Sequence, residues 1–222
     1  MPVIPTWGDS RRVRIGLLGG SFNPVHAGHL AIARRALRVL DLDQVWLMVS
    51  PGNPLKPVEG MAPFEERLAG VRCVADGRRI VATDIERRLG TRYTVDTIAR
   101  LRTRFPNVSF VWLMGADGLA SLPRWRGWRR LAALVPIAVL PRPRYNVAAL
   151  SGRAARTMVS DRRPARAARA LPGRSGHAWA FLPGPQDGIS ATALRTMRSG
   201  ARDPGQAPTQ ERPPSPENPR PT

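Results

Sequence analysis

The 222-residue sequence has little cysteine, little lysine and no long apolar run. Its single cysteine, Cys73, leaves neither a disulfide framework nor a zinc-binding pattern, which is typical of a reducing cytosol. Because this cysteine lies in an apolar helical pattern, we expect its thiol to be buried. The first 14 residues lack the apolar core of a signal peptide, and no apolar stretch reaches membrane-spanning length. The composition therefore predicts a cytoplasmic protein with no membrane partner.

The basic residues are almost entirely arginine, since Lys56 is the only lysine among 35. They outnumber the 16 acidic residues and give a formal net charge of +19. Twelve of the arginines lie between residues 121 and 170, against one aspartate. Such a field attracts nucleic acids and acidic ligands without specificity. Because Ala, Gly and Pro are also abundant, we interpret the bias as a GC-rich codon preference and expect no specific nucleic-acid partner.

Histidine is also scarce, yet two of the three histidines lie in one short turn. This turn, GGSFNPVHAGHL at residues 19–30, follows a strand predicted from Val13 to Gly19 and precedes a helix predicted from Gly28 to Leu40. Its glycines allow close approach of a ligand, and the helix start offers free N–H groups and a positive dipole end. His26 and His29 would add two imidazole donors. The turn predicts a phosphate site, with an ordinary surface turn as the alternative.

The rest of the chain alternates apolar strands with amphipathic helices. Further strands are predicted at residues 44–50, 79–83, 108–114, 137–140 and 178–183. The alternation predicts an α/β fold with a Rossmann-like, doubly wound and mostly parallel sheet and helices on both faces. Residues 1–12 are predicted to be a loose leader, residues 13–199 the domain and residues 200–222 a Pro-rich disordered tail.

Two segments have less regular patterns. Residues 84–92 are highly charged and are predicted to form a loop before a helix over residues 93–105. Residues 161–177 are rich in Ala and Arg, and we interpret them as a helix with a mobile loop.

The loops that follow the predicted strands carry further candidate ligands. In an open parallel sheet these loops face the ligand crevice. Lys56 lies in the turn-rich loop after the second strand, and Asp117 directly follows the fourth strand, where a carboxylate suits ribose hydroxyls or a metal ion. The helices that start near Tyr93 and near Ser190 offer two further anion-binding N-termini. A solvated lysine and ordinary helix caps are the alternatives.

The ordered set of motifs resembles the bacterial nicotinate-nucleotide adenylyltransferases of the nucleotidyltransferase superfamily. The motifs are GGSFNPVHAGHL at residues 19–30, NPLK at 53–56, YTVDT at 93–97, GAD at 115–117 with the tryptophan at 125, and ISATALR at 189–195. The first and last motifs occur throughout the superfamily, and the middle three narrow the match to the nicotinate-nucleotide adenylyltransferases. One departure is the Pro-rich tail after Arg195, where similar enzymes usually carry another helix and a Tyr-containing end. Adenine packing or oligomer contacts would then differ.

The resemblance implies an enzyme of NAD biosynthesis that transfers AMP from ATP to nicotinate mononucleotide, giving deamido-NAD and pyrophosphate. It implies that His26, His29 and Arg195 are catalytic. The implied ATP-binding residues are Gly19, Gly20, Ser21, Phe22, His26, His29, Lys56, Gly115, Asp117, Ile189, Ser190, Thr192 and Arg195. The implied residues for nicotinate mononucleotide are Asn23, Lys56, Tyr93, Thr94 and Trp125. Mg²⁺ would accompany ATP, held mainly by substrate oxygens and water, and the resemblance is compatible with a homo-oligomer.

Other functions remain open at this point. An adenylyltransferase for nicotinamide mononucleotide is one, and a phosphopantetheine adenylyltransferase is another, although these usually have Thr at the position of His26 and are shorter. Class I aminoacyl-tRNA synthetases carry a similar HxGH turn but are longer, with a Lys-rich second motif. An Arg-rich RNA-binding module would show strongly salt-dependent RNA affinity without adenylyl transfer.

The tail leads to a first testable prediction. Deleting the chain from Asp203 onward should leave both the melting temperature and the activity unchanged. Residues 200–222 hold almost no apolar side chains and many prolines, so they can contribute little buried area. Thermal melting and pyrophosphate release of the truncated protein test this expectation. A loss of several degrees would instead show that the tail docks on the domain.

Overall fold

A seven-stranded sheet runs through the part of the chain that the structure describes. This computed structural model describes residues 4, 8, 10–52, 59–174 and 176–184. The strands are β1 (Arg14–Gly20), β2 (Gln44–Val49), β3 (Ile80–Thr83), β4 (Ser109–Gly115), β5 (Ile137–Leu140), β6 (Arg162–Arg163) and β7 (Trp179–Phe181). Their order is β3-β2-β1-β4-β5-β7-β6, and every neighbouring pair is parallel. The predicted parallel sheet is confirmed.

Helices connect the strands and cover both faces of the sheet. They are α1 (Ala27–Val39), α2 (Phe64–Val74), α3 (Ile85–Arg88), α4 (Thr94–Arg104), α5 (Ala116–Ser121), α6 (Trp128–Leu134), α7 (Asn146–Leu150) and α8 (Arg153–Thr157). Short 3₁₀ turns lie at Leu122–Arg124, Val159–Asp161 and Ala165–Ala170. Within the described residues, none of the helices combines the length and apolar character needed to span a membrane.

The alternation of side chains along each strand divides the core into two layers. Trp46 and Met48 of β2 lie in the layer that packs against α3 to α8. Leu47 and Val49 of the same strand lie in the layer that packs against α1, α2 and the last 3₁₀ turn. Because helices cover both faces of the sheet, consecutive residues of its strands are apolar. This arrangement confirms the doubly wound α/β fold.

The strand order places a ligand crevice beside β1. From β1 the chain moves outward to β2 and β3, then returns to the other side of β1 as β4. The crossovers therefore diverge between β1 and β4, and the loops at the carboxyl ends of these strands leave a cleft there. Leu18 pairs with Leu113, so Gly20 and Gly115 end their strands at the same edge. The GGSFN turn and the GAD segment meet at this edge.

Three local predictions need correction. Residues 84–92 are not all loop, because they contain the single helical turn α3. Residues 161–177 form a 3₁₀ turn and the edge strand β6, which pairs with β7. A two-residue strand has no periodicity from which to predict it. Cys73 is exposed rather than buried, since it lies about 200° around α2 from Val71, which faces the core.

The chain ends are only partly described. Ile4 is 6% exposed and packs in the core layer with α3 and α4. The predicted helix near Ser190 and the predicted tail lie outside the described residues. The domain boundaries at residues 13 and 199 stay predictions.

Candidate active site

The phosphate turn, residues 19–30, extends from the end of β1 into the first turn of α1. Its Phe22 adopts a left-handed backbone conformation with φ of +46°, which is rare and costly for a bulky residue. The surroundings hold it there, because the Phe22 side chain is 2% exposed in the core and its ring centroid lies 4.8 Å from that of His29. A backbone conformation maintained by packing in this way is typical of functional turns.

The glycines of the site leave room for neighbouring side chains as well as for a ligand. A Cβ on Gly19 would lie 2.6 Å from the Trp112 ring, and one on Gly115 would lie 2.4 Å from the Asp117 carboxylate. Both distances are shorter than any normal contact. Gly20 is less restricted, with the Phe22 ring 3.3 Å from the corresponding position. The sequence predicted that glycines admit a ligand, and the structure shows that Gly19 and Gly115 also admit neighbouring side chains.

The two histidines of the turn form a stacked pair at the start of α1. Their ring centroids lie 3.9 Å apart. His26 takes the N-cap position of α1, and its backbone N–H donates to Nδ1 of His29 at 3.2 Å. Because that nitrogen accepts a hydrogen bond, a neutral His29 carries its proton on Nε2. The backbone therefore selects the tautomer of His29 that can donate from Nε2.

His26 is the most unusual polar residue of this cleft. It is 8% exposed, and both of its ring nitrogens are buried without a hydrogen-bond partner in the described structure. Burial, with a smaller effect of the Arg142 guanidinium, lowers the pKa of His26 below 6.5. Both effects favour the neutral form of the ring. A buried imidazole without a partner is costly, so this site is prepared for a group that would bind to it.

Asp117 and Arg142 complete the described part of the cleft. Asp117 lies in the first turn of α5, directly after β4, and its Oδ2 is 3.9 Å from Nε of Arg142. Arg142 follows β5, and its backbone N–H donates to the Asn146 side chain at 2.8 Å. The sequence interpretation missed Arg142 among 34 arginines. The rule that places Asp117 at the carboxyl edge of a strand also applies to Arg142, and would have identified it.

Asn23 has a clear structural role in this site. Its side-chain nitrogen donates to the Gly60 carbonyl at 2.9 Å, and its side-chain oxygen accepts from the Ala62 N–H at 3.2 Å. The amide therefore joins the phosphate turn to the chain just before α2. Its predicted contact with nicotinate mononucleotide stays a prediction.

A second group of predicted residues lies at the start of α4. Tyr93 takes the N-cap position and Thr94 begins the helix, without a side-chain cap. The Arg126 guanidinium carbon lies 4.5 Å from the centre of the Tyr93 ring. Trp125 packs edge-on against Trp112 at 6.2 Å. Since the Trp112 ring also lies against Gly19, one indole connects this group to the phosphate turn.

The remaining predicted site residues cannot be placed. Lys56, Ile189, Ser190, Thr192 and Arg195 lie outside the described residues. The structure brings the phosphate turn, Gly115 and Asp117 together at one edge, and Trp125 is joined to it through Trp112.

Comparisons with known proteins identify the family of the chain. Residues 17–197 match the model of the family described as Cytidylyltransferase-like. A probable nicotinate-nucleotide adenylyltransferase from Gluconacetobacter diazotrophicus is 67% identical over 206 residues, which covers 92% of this chain and 96% of that protein. A protein of the same name from Gluconobacter oxydans is 68% identical over 183 residues, covering 82% of this chain and 94% of that protein.

Solved structures show the same fold at low sequence identity. Plasmodium falciparum nicotinic acid mononucleotide adenylyltransferase complexed with NaAD has a TM-score of 0.62, and the same protein complexed with APC has 0.60. Each comparison covers 83% of both chains at 14% identity. On the family match and the identity to its relatives, the chain belongs to the cytidylyltransferase-like family and, within it, to the nicotinate-nucleotide adenylyltransferases.

Proposed function

We propose that the chain transfers AMP from ATP to nicotinate mononucleotide, forming deamido-NAD and pyrophosphate. The main observation behind the proposal is the histidine pair at the cleft between β1 and β4, where both ring nitrogens of His26 are buried and have no hydrogen-bond partner among the described residues. The relatives from Gluconacetobacter and Gluconobacter are named for this activity. The solved Plasmodium enzyme binds NaAD, a nucleotide.

The reaction needs positioning and positive donors more than it needs a base. The phosphate of nicotinate mononucleotide is already an anion, so it can attack the α-phosphorus of ATP without losing a proton. Charge then develops on the oxygens around that phosphorus and on the departing pyrophosphate. We assign the stabilisation of this charge to N–H donation from His26 and His29 and to the Arg142 guanidinium.

Other residues enter the proposal through the resemblance alone. Lys56 and Arg195 would add two further cations, and Ser190 and Thr192 would add hydroxyl donors at a helix start. Gly19 to Phe22, Gly115 and Ile189 would shape the ATP site through their backbone, and Asp117 would bind ribose. For the second substrate, Tyr93, Thr94 and Trp125 would contact the pyridine ring.

Mg²⁺ fits this site as a companion of ATP. No group of three or more His, Cys, Asp or Glu side chains suitable for a metal occurs in the described ranges. Mg²⁺ commonly keeps several waters and takes its other ligands from phosphates, so such a protein cage is not required. Asp117 is the carboxylate of the described cleft that would be available to bind the ion. When bound, the ion would neutralise phosphate charge.

Several partner assignments also belong to the proposal. We place the activity in the cytoplasm, because a chain with one cysteine does not depend on disulfides. A homo-oligomer and the absence of a specific nucleic-acid partner stay predictions from the sequence.

The direct test combines the protein with ATP, Mg²⁺ and one acceptor at a time. We expect pyrophosphate and deamido-NAD with nicotinate mononucleotide. Exclusive activity with phosphopantetheine, or salt-dependent RNA binding without pyrophosphate release, would favour one of the alternatives.

A further prediction concerns the choice between acid and amide. We expect kcat/KM to be roughly tenfold to a hundredfold higher for nicotinate mononucleotide than for nicotinamide mononucleotide. The first N–H groups of α4 have no intrahelical acceptor, and they form the positive end of the helix dipole. They therefore favour a carboxylate as ligand. An amide would leave at least one buried donor unpaired, at about 1–3 kcal/mol. Initial rates with the two mononucleotides measure the ratio, and equal values would contradict this assignment.

Trp125→Ala is the matched control for that measurement. Stacking on an indole does not distinguish an acid from an amide. The variant should therefore weaken both substrates alike and leave their ratio nearly intact. A changed ratio would show that Trp125 takes part in reading the carboxylate.

A further inference from the structure

Arg67 of α2 is a buried charged residue that the mechanism above does not use. The residue is 5% exposed. Its guanidinium donates to the backbone carbonyls of Ser21 at 2.7 Å, Ser50 at 2.9 Å and Pro51 at 3.5 Å, and its Nε donates to that of Ala62 at 3.0 Å. Among the described residues, these acceptors are all neutral, and no carboxylate pairs with the guanidinium.

These four carbonyls belong to two loops of the carboxyl edge. Ser21 lies in the phosphate turn, whereas Ser50 and Pro51 follow β2 and Ala62 precedes α2. Asn23 joins the same two regions from the turn, through Gly60 and Ala62. One planar cation thus connects the end of β1 to both described ends of the loop after β2.

The contacts require an arginine in particular. A guanidinium carries five N–H donors in a rigid fork, which can serve carbonyls in several directions at once. A lysine ammonium has three donors at one point, so it would leave some of the four carbonyls unpaired. Charge is equal in the two residues, and only the donor geometry differs. The variant Arg67→Lys therefore keeps the positive charge and changes only the geometry of the hydrogen-bond donors.

We propose that Arg67 is a positioning residue for the adenylyl transfer: it holds the Ser21 carbonyl and thereby sets the phosphate turn and its two histidines. Ser21 is one residue from Phe22, which has a left-handed backbone and whose ring centroid lies 4.8 Å from that of His29. A shift at Ser21 therefore moves the rings of His26 and His29 relative to the cleft. The kinetic part of this inference rests on the proposed function, while the histidine geometry does not.

The kinetic experiment compares Arg67→Lys with Arg72→Lys. Arg72 lies on the same helix and is exposed, so its replacement is the matched control. Arg67→Lys should lower kcat/KM with ATP by roughly 10–100-fold, mainly through kcat, because misplacement by about 1 Å can cost about 10²-fold. Arg72→Lys should stay within about twofold. Rates are measured well below the melting temperature of each variant.

The histidine resonances supply a readout that needs no activity. The chain has three histidines, and NMR can follow their ring protons separately. Arg67→Lys should shift the signals of His26 and His29 and leave that of the exposed His177 unchanged. If melting falls while both kinetics and histidine shifts stay as in the unmodified protein, Arg67 is only structural and the proposal is overturned. If the unmodified protein has no transferase activity, the proposed function fails, and the histidine shifts still decide the positioning role.

A measurement on the unmodified protein tests the proposal even if Arg67→Lys does not fold. ATP with Mg²⁺ should shift the Nε–H resonance of Arg67 and leave that of Arg72 in place, because only the former is bonded to the phosphate turn and its neighbouring loop. An unchanged Arg67 resonance at saturating ATP would overturn the proposal.

Discussion

Replacing His26 or His29 with alanine should lower the rate of adenylyl transfer by roughly 10²–10³-fold, the usual cost of losing one transition-state donor. Within the described residues, both ring nitrogens of His26 are buried without a hydrogen-bond partner, and a backbone hydrogen bond sets the tautomer of His29. Each ring can therefore present an N–H donor to phosphate oxygens. Pyrophosphate release under saturating ATP and nicotinate mononucleotide measures the loss.

The fold should survive both replacements. Removing the His26 ring deletes a buried polar group that makes no hydrogen bond in the described structure, so its loss leaves no partner unsatisfied. His177→Ala is the matched control, because that ring is exposed and lies at the other end of the chain. Near-normal turnover in both turn variants would contradict the assignment of these residues.

The stability of the protein should fall as the pH rises from about 4.5 to about 7, with a contribution of about 3 kcal/mol from Glu86. Burial raises the pKa of this carboxyl from 4.5 to about 7, against a smaller opposing effect of its hydrogen bond to Thr97. The folded state thus holds the proton more tightly than the unfolded state does. The stabilisation is complete below pH 4.5 and is lost as the pH rises through 7.

Comparison with Glu86→Gln isolates this contribution. Glutamine has no titrating group, so the difference in unfolding free energy between the two proteins should change by about 3 kcal/mol between pH 4.5 and pH 8. His26 has the opposite dependence, because its pKa is lowered, but it is present in both proteins and cancels. Urea unfolding at several pH values measures the difference. A flat difference for Glu86→Gln would contradict the prediction.

Glu86 belongs to a buried polar network at the start of α4. Thr91 donates through its N–H to the Glu86 carbonyl at 3.0 Å, and its hydroxyl lies 2.8 Å from that of Thr97. The Thr97 hydroxyl also donates to the Tyr93 carbonyl at 3.3 Å. The pH variants therefore change the residues beneath the predicted pyridine site, and their KM for nicotinate mononucleotide can be read from the same preparations.

The local pattern of the chain was enough to predict most of the sheet. The runs at residues 44–50 and 108–114 are almost wholly apolar because both faces of a covered parallel strand are buried. Their ends in the structure differ from the predicted ends by at most one residue. The phosphate turn was equally visible, since its glycines and histidines are consecutive in the chain and need no distant partner to be recognised.

Other residues gave no such local signal. Cys73 follows an apolar pattern, yet its exposure depends on which face of α2 meets the sheet. Arg142 acquires a role only because β5 ends beside the cleft, and Arg67 only because four carbonyls from separate loops converge on it. Asn23 was predicted to bind substrate. Its contacts with Gly60 and Ala62 could not be predicted from the sequence, because Gly60 lies 37 residues further along the chain.

The α/β alternation, the phosphate turn and the family can all be predicted from the sequence, because each depends on residues that are adjacent in the chain. The side chains that reach the turn depend on the tertiary structure, which pairs β4 with β1 and brings Trp112 against Gly19. Among the described residues, it also leaves both ring nitrogens of His26 without a hydrogen-bond partner. Periodicity reports which face of an element is apolar, whereas hydrogen bonds and charges act between groups that folding brings within a few ångströms. Their partners therefore become known only when the strand order is known.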